Sequence, residues 1–484
     1  MTSADLAIES GSSRQAPSPP GRFPLGNFND LRRDPFSFLL HCRAAYGDVV
    51  RLKLFTTNAF VLSHPDHVQH VLQKKQPVYD KNLEPLKRLR PVLGNGMVTA
   101  DGASWQHQRE VARPAFHGRE VQAFGPVITD VITGLLERWR RAASEQRVLD
   151  MHQEMMQVTL RVAGRALFGV DLKDEAEASS DLLNVTMAAG LKRMNRLVAA
   201  PMFLPTPNNR VLKAARRSLE RLIDRIIDQA DGLDRGLLLG RLLEDHGARE
   251  PAGRSRQFYD EAITILLAGH ETTANALSFS LHLLGRHSAI VEKLRAETRT
   301  VLGDRPAEIG DLPALAYTRQ VLDEAMRLYP PAWIIDRNAT EDDEIDGYAI
   351  PKRSLILVSP YVIHRHPVFW PDSERFDPSR FAKDRPHAPA CRGEASKVGP
   401  AMPDLRSFAP ADRGIRPRHA YFPFGHGPRV CIGASFAQTE AVMVLASLIN
   451  KFDVEQIEGH VLKLDPNVTL RPKNGLPMGV RVAG

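Results

Sequence analysis

The sequence predicts a mainly α chain with a small β-rich side, an α+β arrangement folded as a single domain. Three observations lead there. From Asp66 to about Thr300, and again from Ala434 to Lys451, apolar residues recur at three- and four-residue steps, the period of a helix with a buried face. Strand-like runs bounded by Gly, Pro and Asp are confined to Asp48–Ser63 and Glu344–Ser359. Neither an internal repeat nor an interdomain linker interrupts the 484 residues, although length by itself would allow two or three domains.

Residues 1–24, MTSADLAIESGSSRQAPSPPGRFP, are polar and rich in Pro and Ser, which predicts a disordered tail. The tail lacks the apolar core of a signal peptide or membrane anchor, leaving 25–484 as the folded unit. Asp34–Tyr46 reads as a short helix. Asp48–Leu54 alternates in part and Asn58–Ser63 is an apolar run, so the two read as strands set off by Tyr46-Gly47 and His64-Pro65. A long helix is expected from Arg210 to Ala230, after the breaker Thr206-Pro207-Asn208-Asn209. Leu212, Ala215, Leu219, Leu222, Ile223, Ile226 and Ile227 form its apolar stripe, and Arg216, Arg217, Arg221 and Arg225 its solvated face. A second long apolar helix covers Tyr259–Leu284. Beyond Tyr329 prolines multiply, and Glu344–Ser359 predicts strands around the turn Asp346-Gly347. Residues 382–420 carry eight Lys/Arg against four Asp/Glu without periodicity, long for a loop in a compact domain and read as an insertion.

Composition is that of a globular protein: 43% hydrophobic, 25% charged, with a net charge of +7. No basic run reaches the density of a nucleic-acid tail, so the excess reads as a mildly positive surface suited to acidic partners. The three cysteines, Cys42, Cys391 and Cys431, are far apart and form no CxxC pair, which argues against a disulfide framework and fits a reducing, cytoplasmic setting.

Four constellations carry chemistry. In Phe424-Gly425-His426-Gly427-Pro428-Arg429-Val430-Cys431-Ile432-Gly433, the glycines permit tight turns and close approach to a flat cofactor. Cys431 precedes the helix Ala434–Lys451, whose amide dipoles favour a thiolate, and Arg429 is placed to meet an anion. His426 reads as a loop residue rather than a metal ligand. Within Tyr259–Leu284, Ala268-Gly269-His270-Glu271-Thr272-Thr273 puts a carboxylate in the middle of an apolar helix, which needs a reason. The zinc motif HExxH is excluded there because position 274 is Ala. Glu324 and Arg327, three residues apart, share a helix face before Tyr329-Pro330-Pro331. Trp105 and Arg109 lie one helical turn apart. His364-Arg365-His366 has the composition of a metal cluster but reads as surface or packing.

These residues, in this order, resemble the cytochrome P-450 superfamily of haem-thiolate monooxygenases, and the likeness runs from about Tyr46 to Lys451. The resemblance implies the P-450 fold in a soluble, bacterial-type enzyme with one haem b, its iron held by Cys431. Trp105, Arg109, Arg337 and Arg429 would meet the propionates, with Phe424 and Gly433 shaping the loop. Ala268 and Gly269 would make room for dioxygen as co-substrate, the Thr272 hydroxyl would bond back to the carbonyl one turn earlier, and Glu271 and Thr272 would relay protons. Phe369-Trp370-Pro371-Asp372-Ser373-Glu374-Arg375-Phe376 is similar to the family's second arginine motif, so Glu324, Arg327 and Arg375 would form a buried triad. Substrate contacts would come from Asn82–Thr99, Leu182–Pro205, Ala268, Gly269 and Ala332–Ile335, with Trp333 and Ile334 foremost.

The implied reaction is hydroxylation or epoxidation of a lipophilic molecule: a fatty acid, terpenoid or polyketide. About fifty residues follow the cysteine loop, too few for a fused reductase. Electrons from NAD(P)H are therefore expected through a separate ferredoxin or flavodoxin with its reductase, serving a monomer. Two alternatives stand beside this reading: a peroxide-driven hydroxylase on the same fold, and a basic non-haem binding protein.

Overall fold

In the computed structural model the described residues are 14–173, 199–229, 237–248, 254–382 and 417–484, with short pieces between 185 and 196. Ten helices of ten residues or more lie among them: α1 (Pro35–Tyr46), α2 (Glu84–Leu93), α3 (Gly102–Ala112), α4 (Gly125–Ser144), α5 (Met151–Phe168), α6 (Pro207–Gln229), α7 (Arg256–Leu284), α8 (Ser288–Leu302), α9 (Ala316–Leu328) and α10 (Ala434–Lys451). None of the described helices is long and apolar enough to cross a membrane.

α7 is apolar nearly all round and accordingly runs through the middle of the helical core, buried along most of its length. Ser255 starts it by accepting a hydrogen bond from the Phe258 amide at 3.2 Å. α5 and α9 pack along its sides, and α10 lies against α4, α8 and α9. The expected boundary of α6 was late. Thr206 is the N-cap, its hydroxyl accepting from the Asn209 amide at 3.2 Å, and Pro207 is the first helical residue. The segment read as a breaker is a helix start, because a proline there forfeits only an amide that would have no partner anyway. Arg216 departs from the solvated face expected of it: its side chain is buried, 2.7 Å from Asp260 on α7.

The β side is a five-stranded sheet in the order β1 (Val49–Leu54), β2 (Thr57–Leu62), β8 (Leu355–Val358), β5 (Ile335–Ala339) and β3 (Tyr79–Asp80). Only the β2–β8 pair is parallel. Between β5 and β8 lies the hairpin β6 (Asp343–Ile345) and β7 (Tyr348–Ile350), turned by Asp346 and Gly347 at φ 52° and 74°. Those two positive φ angles are what an Asp-Gly turn supplies. β4 (Val148–Asp150) and β9 (Phe452–Gln456) flank β12 (Pro477–Val482) in a second sheet, and β10 (Leu464–Pro466) pairs with β11 (Leu470–Pro472).

Residues 14–24 do not form the free tail predicted for 1–24. Arg14 exchanges backbone hydrogen bonds with Gly347 and Ala349, Pro17 accepts from the Arg51 amide at 2.8 Å, and Ala16 is buried. A Pro- and Ser-rich strip can be held this way because its carbonyls still accept bonds from a sheet edge. Residues 1–13, and 383–416 of the expected insertion, lie outside the described residues.

α9 and the segment after Trp370 contain the largest correction to the expected site. Glu324 and Arg327 are fully buried and bidentate, at 2.7 and 2.8 Å. The third member, however, is Arg380, whose Nε lies 3.3 Å from Glu324. Arg375 is exposed, and only its carbonyl takes part, accepting from Arg327 at 3.1 Å. Asp377 caps the short 3-10 turn Pro378–Phe381, which swings Arg380 inward, while its own amide donates to Glu324 at 2.9 Å.

Beside this pair, burial pushes the Asp323 carboxyl up to about 6 from 3.8, against the opposing pull of Arg319 and the Tyr421 hydroxyl. A folded-state value above the unfolded one means that ionisation opposes folding. The penalty is absent below about pH 4, grows through the interval, and is complete above about pH 6. Asp323→Asn is therefore expected to stabilise the protein at pH 8 by about 2–3 kcal/mol and to gain nothing at pH 4. Denaturant midpoints at both pH values provide the check; an equal gain at pH 4 would refute the assignment.

Candidate active site

The loop Phe424–Gly433 is folded by two glycines at positive φ, Gly425 at 74° and Gly427 at 70°. A Cβ on Gly427 would stand 1.7 Å from the Leu72 carbonyl oxygen, so the loop can press against that chain only with glycine there. The Cys431 amide donates to the Phe424 carbonyl at 2.9 Å and closes the turn. Cys431 is enclosed by protein yet keeps accessible surface, which the cavity it lines accounts for. Enclosure pushes its thiol up, while the Gly433 amide and Arg109 pull it back. Helix and arginine thus favour the thiolate in the expected direction without outweighing burial.

The cavity, of about 340 Å³, places Cys431, Phe424 and Gly433 with Ala268, Gly269 and Thr272 of α7. The Thr272 hydroxyl donates to the Ala268 carbonyl one turn back at 3.0 Å, the local back-bond expected of it. A Cβ on Gly269 would meet nothing nearer than Leu167 at 4.0 Å, so the surface there is open. Glu271 is placed differently from the expectation. Its carboxylate is absent from the cavity lining and accepts from the Thr469 hydroxyl at 2.5 Å. Thr469 in turn accepts from Asn275 at 3.3 Å, and Asn275 meets His152 at 3.1 Å. The buried carboxylate therefore has a polar partner, supplied by the chain near β11 rather than by its own helix.

One edge of the cavity is cationic. Arg109, Arg337 and Arg429 line it together with Lys81, which sequence reasoning missed because an isolated lysine carries no pattern. Arg429 lies over the Trp105 ring at 4.2 Å and pairs with Asp101. Arg109 donates to the Val430 carbonyl at 2.9 Å. Burial, with repulsion from Arg429, pulls Arg337 down to about 10; burial, with repulsion from Arg337, pulls Lys81 down to about 8. The Nε atoms of Arg337 and Arg429 are buried with no hydrogen-bond partner. Crowded cations with unspent donors call for anionic oxygens. A flat macrocycle bearing two carboxylates and a thiolate-seeking iron fits this donor set.

On the apolar side Ala332 and Ile335 reach the cavity, but Trp333 and Ile334 do not. Trp333 donates to the Asn467 carbonyl at 2.8 Å and packs with Phe36 and Tyr361, and Ile334 belongs to the same second core. In β5, Ile335 and Arg337 are two apart and share the cavity face, and alternation, legible in the sequence, turns Ile334 away from it. Trp333 has the parity of Ile335 but precedes β5, where alternation does not hold, and its indole is fixed elsewhere by the Asn467 carbonyl. His364 and His366 are buried packing residues, His364 accepting from the Phe422 amide at 3.1 Å. His426 lies 2.9 Å from His419, and the described residues contain no group of three metal-ligating side chains.

A helical fold wrapped round a cysteine-bearing, cation-edged cavity defines the class of haem-thiolate enzymes. The chain belongs to the cytochrome P450 family, whose model matches residues 17–477. It is 34% identical over 457 residues to cyclooctatin synthase of Streptomyces melanosporofaciens, covering 93% of this chain and 92% of that protein. It is 32% identical to cyclooctat-9-en-7-ol 5-monooxygenase of the same organism, over 92% and 90% of the two chains. Pentalenene oxygenase of Streptomyces avermitilis is 30% identical, over 94% and 92%. The protein is thus a P450 monooxygenase, an oxidoreductase that uses haem and dioxygen with electrons from a redox partner.

Proposed function

We propose that this chain oxygenates a cyclic, unsaturated, terpenoid-type hydrocarbon or its alcohol. The observation that carries the choice is the apolar wall of Ile265, Ala268, Ala276, Ala332 and Ile335: among the described residues the cavity lining offers no lysine or arginine to a fatty-acid carboxylate outside the four at the cofactor edge. The names of the relatives, an oxygenase of pentalenene and a monooxygenase of cyclooctat-9-en-7-ol, point the same way.

In this reading Cys431 would hold haem b through its sulfur, since a thiol that coordinates a metal is deprotonated outright. Lys81, Trp105, Arg109, Arg337 and Arg429 would hold the two propionates. Haem supplies dioxygen activation, and the thiolate ligand favours O–O cleavage. The protein's own part is to exclude water with the apolar wall, orient the substrate over Ala268 and Gly269, and deliver protons. Thr272 presents its hydroxyl to the cavity; Glu271 resupplies it after turning away from Thr469. NAD(P)H electrons arrive through a ferredoxin or flavodoxin with its reductase, attracted by the positive net charge. We place the enzyme in the cytoplasm as a monomer, residues 14–484 forming one catalytic domain and 382–420 a loop insertion.

Thr272→Ala is expected to keep haem binding and substrate affinity while lowering product per reducing equivalent and raising hydrogen peroxide release. Positioned proton donors are typically worth about 10²–10⁴-fold, and water replaces part of that here. Glu271→Gln is expected to slow turnover. The product-to-peroxide ratio, with an external electron donor and then with added hydrogen peroxide, is the measurement. A fully coupled Thr272→Ala would remove the relay and favour the peroxide-driven reading. Substrate class is tested by the spin-state shift of the ferric haem with cyclic hydrocarbons against fatty acids.

A further inference from the structure

The buried ion pair between Arg216 on α6 and Asp260 on α7, 2.7 Å apart, has no part in the chemistry above. Each partner does a second thing. Asp260 accepts from the Asn95 amide at 2.7 Å, and Arg216 donates to the Val92 carbonyl at 3.1 Å. The pair therefore grips the last turn of α2 at one end and the chain just beyond it at the other. Further bonds hold the same stretch: Thr264 on α7 donates to the Leu93 carbonyl at 3.0 Å, while Gln108 and Gln257 donate to the Asn95 carbonyl at 2.8 and 3.1 Å. The fit leaves no room. A Cβ on Gly94, whose φ is +61°, would stand 1.8 Å from the Asp260 carboxyl carbon, and one on Gly96 would stand 2.1 Å from the Thr264 hydroxyl.

The next two residues, Met97 and Val98, line the cavity, as do Thr264 and Ile265 on the adjoining turn of α7. We propose that the Arg216–Asp260 pair is a specificity-determining device: by clamping residues 92–96 it sets where Met97 and Val98 stand, and so the size of apolar ligand the cavity admits. The inference rests on the cavity's being the substrate site. Arg216 and Asp260 are positioning residues, acting through the segment they hold and not touching the ligand. A pair that only stabilised the fold would affect ligands of all sizes alike. A pair that fixes one wall discriminates among them, because a displaced wall removes contacts from a small ligand and clashes from a large one.

The experiment uses the haem-loaded protein and two probes that coordinate haem iron through imidazole nitrogen, small 4-phenylimidazole and bulky clotrimazole. Each is titrated by the Soret shift. Asp260→Asn and Arg216→Met are expected to move the ratio of the two Kd values by about tenfold or more in favour of clotrimazole, a change of about 1.4 kcal/mol. Because both probes bind the same iron, general damage cancels in that ratio. Hydrogen exchange of the peptide spanning residues 92–99, which needs no haem, is expected to speed up in parallel. Gly96→Ala leaves both charges paired but lifts the segment off α7, so it should also shift the ratio; it carries the test if the charge variants do not fold. An unchanged ratio in folded variants overturns the inference, whether or not exchange at 92–99 speeds up. Failure of the unaltered protein to show a haem-thiolate spectrum would instead overturn the reading of the cavity.

Discussion

Cys431→Ser or Cys431→His is expected to abolish the red-shifted Soret band of the carbon-monoxide-bound ferrous protein, together with monooxygenase turnover. The sulfur is the one soft donor that the Phe424–Gly433 loop turns into the cavity, between a helix N-terminus and Arg109. Serine keeps the shape but is a poor ligand for iron at neutral pH, and imidazole binds without the thiolate's electron donation. Haem content should fall less than the spectrum changes, because Arg109, Arg337, Arg429 and Lys81 still line the cavity edge that would take the propionates. Cys42→Ala should keep the band: Cys42 is fully buried in a separate core, its thiol pushed up to about 12 by burial. Cys391→Ala should keep it as well. Retention of the band and the activity in Cys431→His would refute the ligand assignment.

The second large effect is one of stability. Glu324→Ala and Arg327→Ala are each expected to cost about 3–5 kcal/mol, since the first leaves the buried Arg327 without its counter-charge and the second takes from Glu324 its bidentate partner, leaving only Arg380 at 3.3 Å. Arg327 also donates to the carbonyls of His364, Ser373 and Arg375, so its loss unties two segments that lead towards the cysteine loop. Arg380→Ala should cost about 1.5–3 kcal/mol for the lost interaction with Glu324. Arg375→Ala should stay within about 0.5 kcal/mol, as its side chain is exposed and its carbonyl is unchanged. Denaturant midpoints for the four variants decide between the arginines. A cost at Arg375 equal to that at Arg380 would restore the triad expected from the sequence.

Much of the site was legible in advance wherever a function depends on neighbours along the chain. The Gly-rich turn, the cysteine one step before a helix, the Glu324–Arg327 pair on one face and the Thr272 back-bond are all local geometry. What escaped was set by contacts distant in sequence. Lys81 joins the cavity edge only because β3 pairs with β5, which brings residues 79–80 against 338–339. Ile334 turned to another core because alternation gives the cavity face to Ile335 and Arg337, and Trp333 did so because its indole N–H donates to the Asn467 carbonyl, 134 residues away. Arg380 displaced Arg375 because a five-residue difference is decided by the Asp377-capped turn, whose direction no motif spells out. Arg216 was assigned to a solvated face since its flanking arginines are; the acid that buries it lies 44 positions away on α7.

Local signals were enough for the class of the protein: a helical chain, a cysteine in a Gly-rich turn before a helix, and a threonine in a long apolar helix. Each follows from period, turn chemistry and residue type, which act over a few residues. Only the tertiary structure decided which charges are buried together and which side chains reach the cavity. Glu271 shows the physical reason most plainly. A carboxylate in an apolar helix must find a partner, but the sequence states only the need. The partner, Thr469, is 198 residues away, and folding alone brings the two within hydrogen-bonding distance.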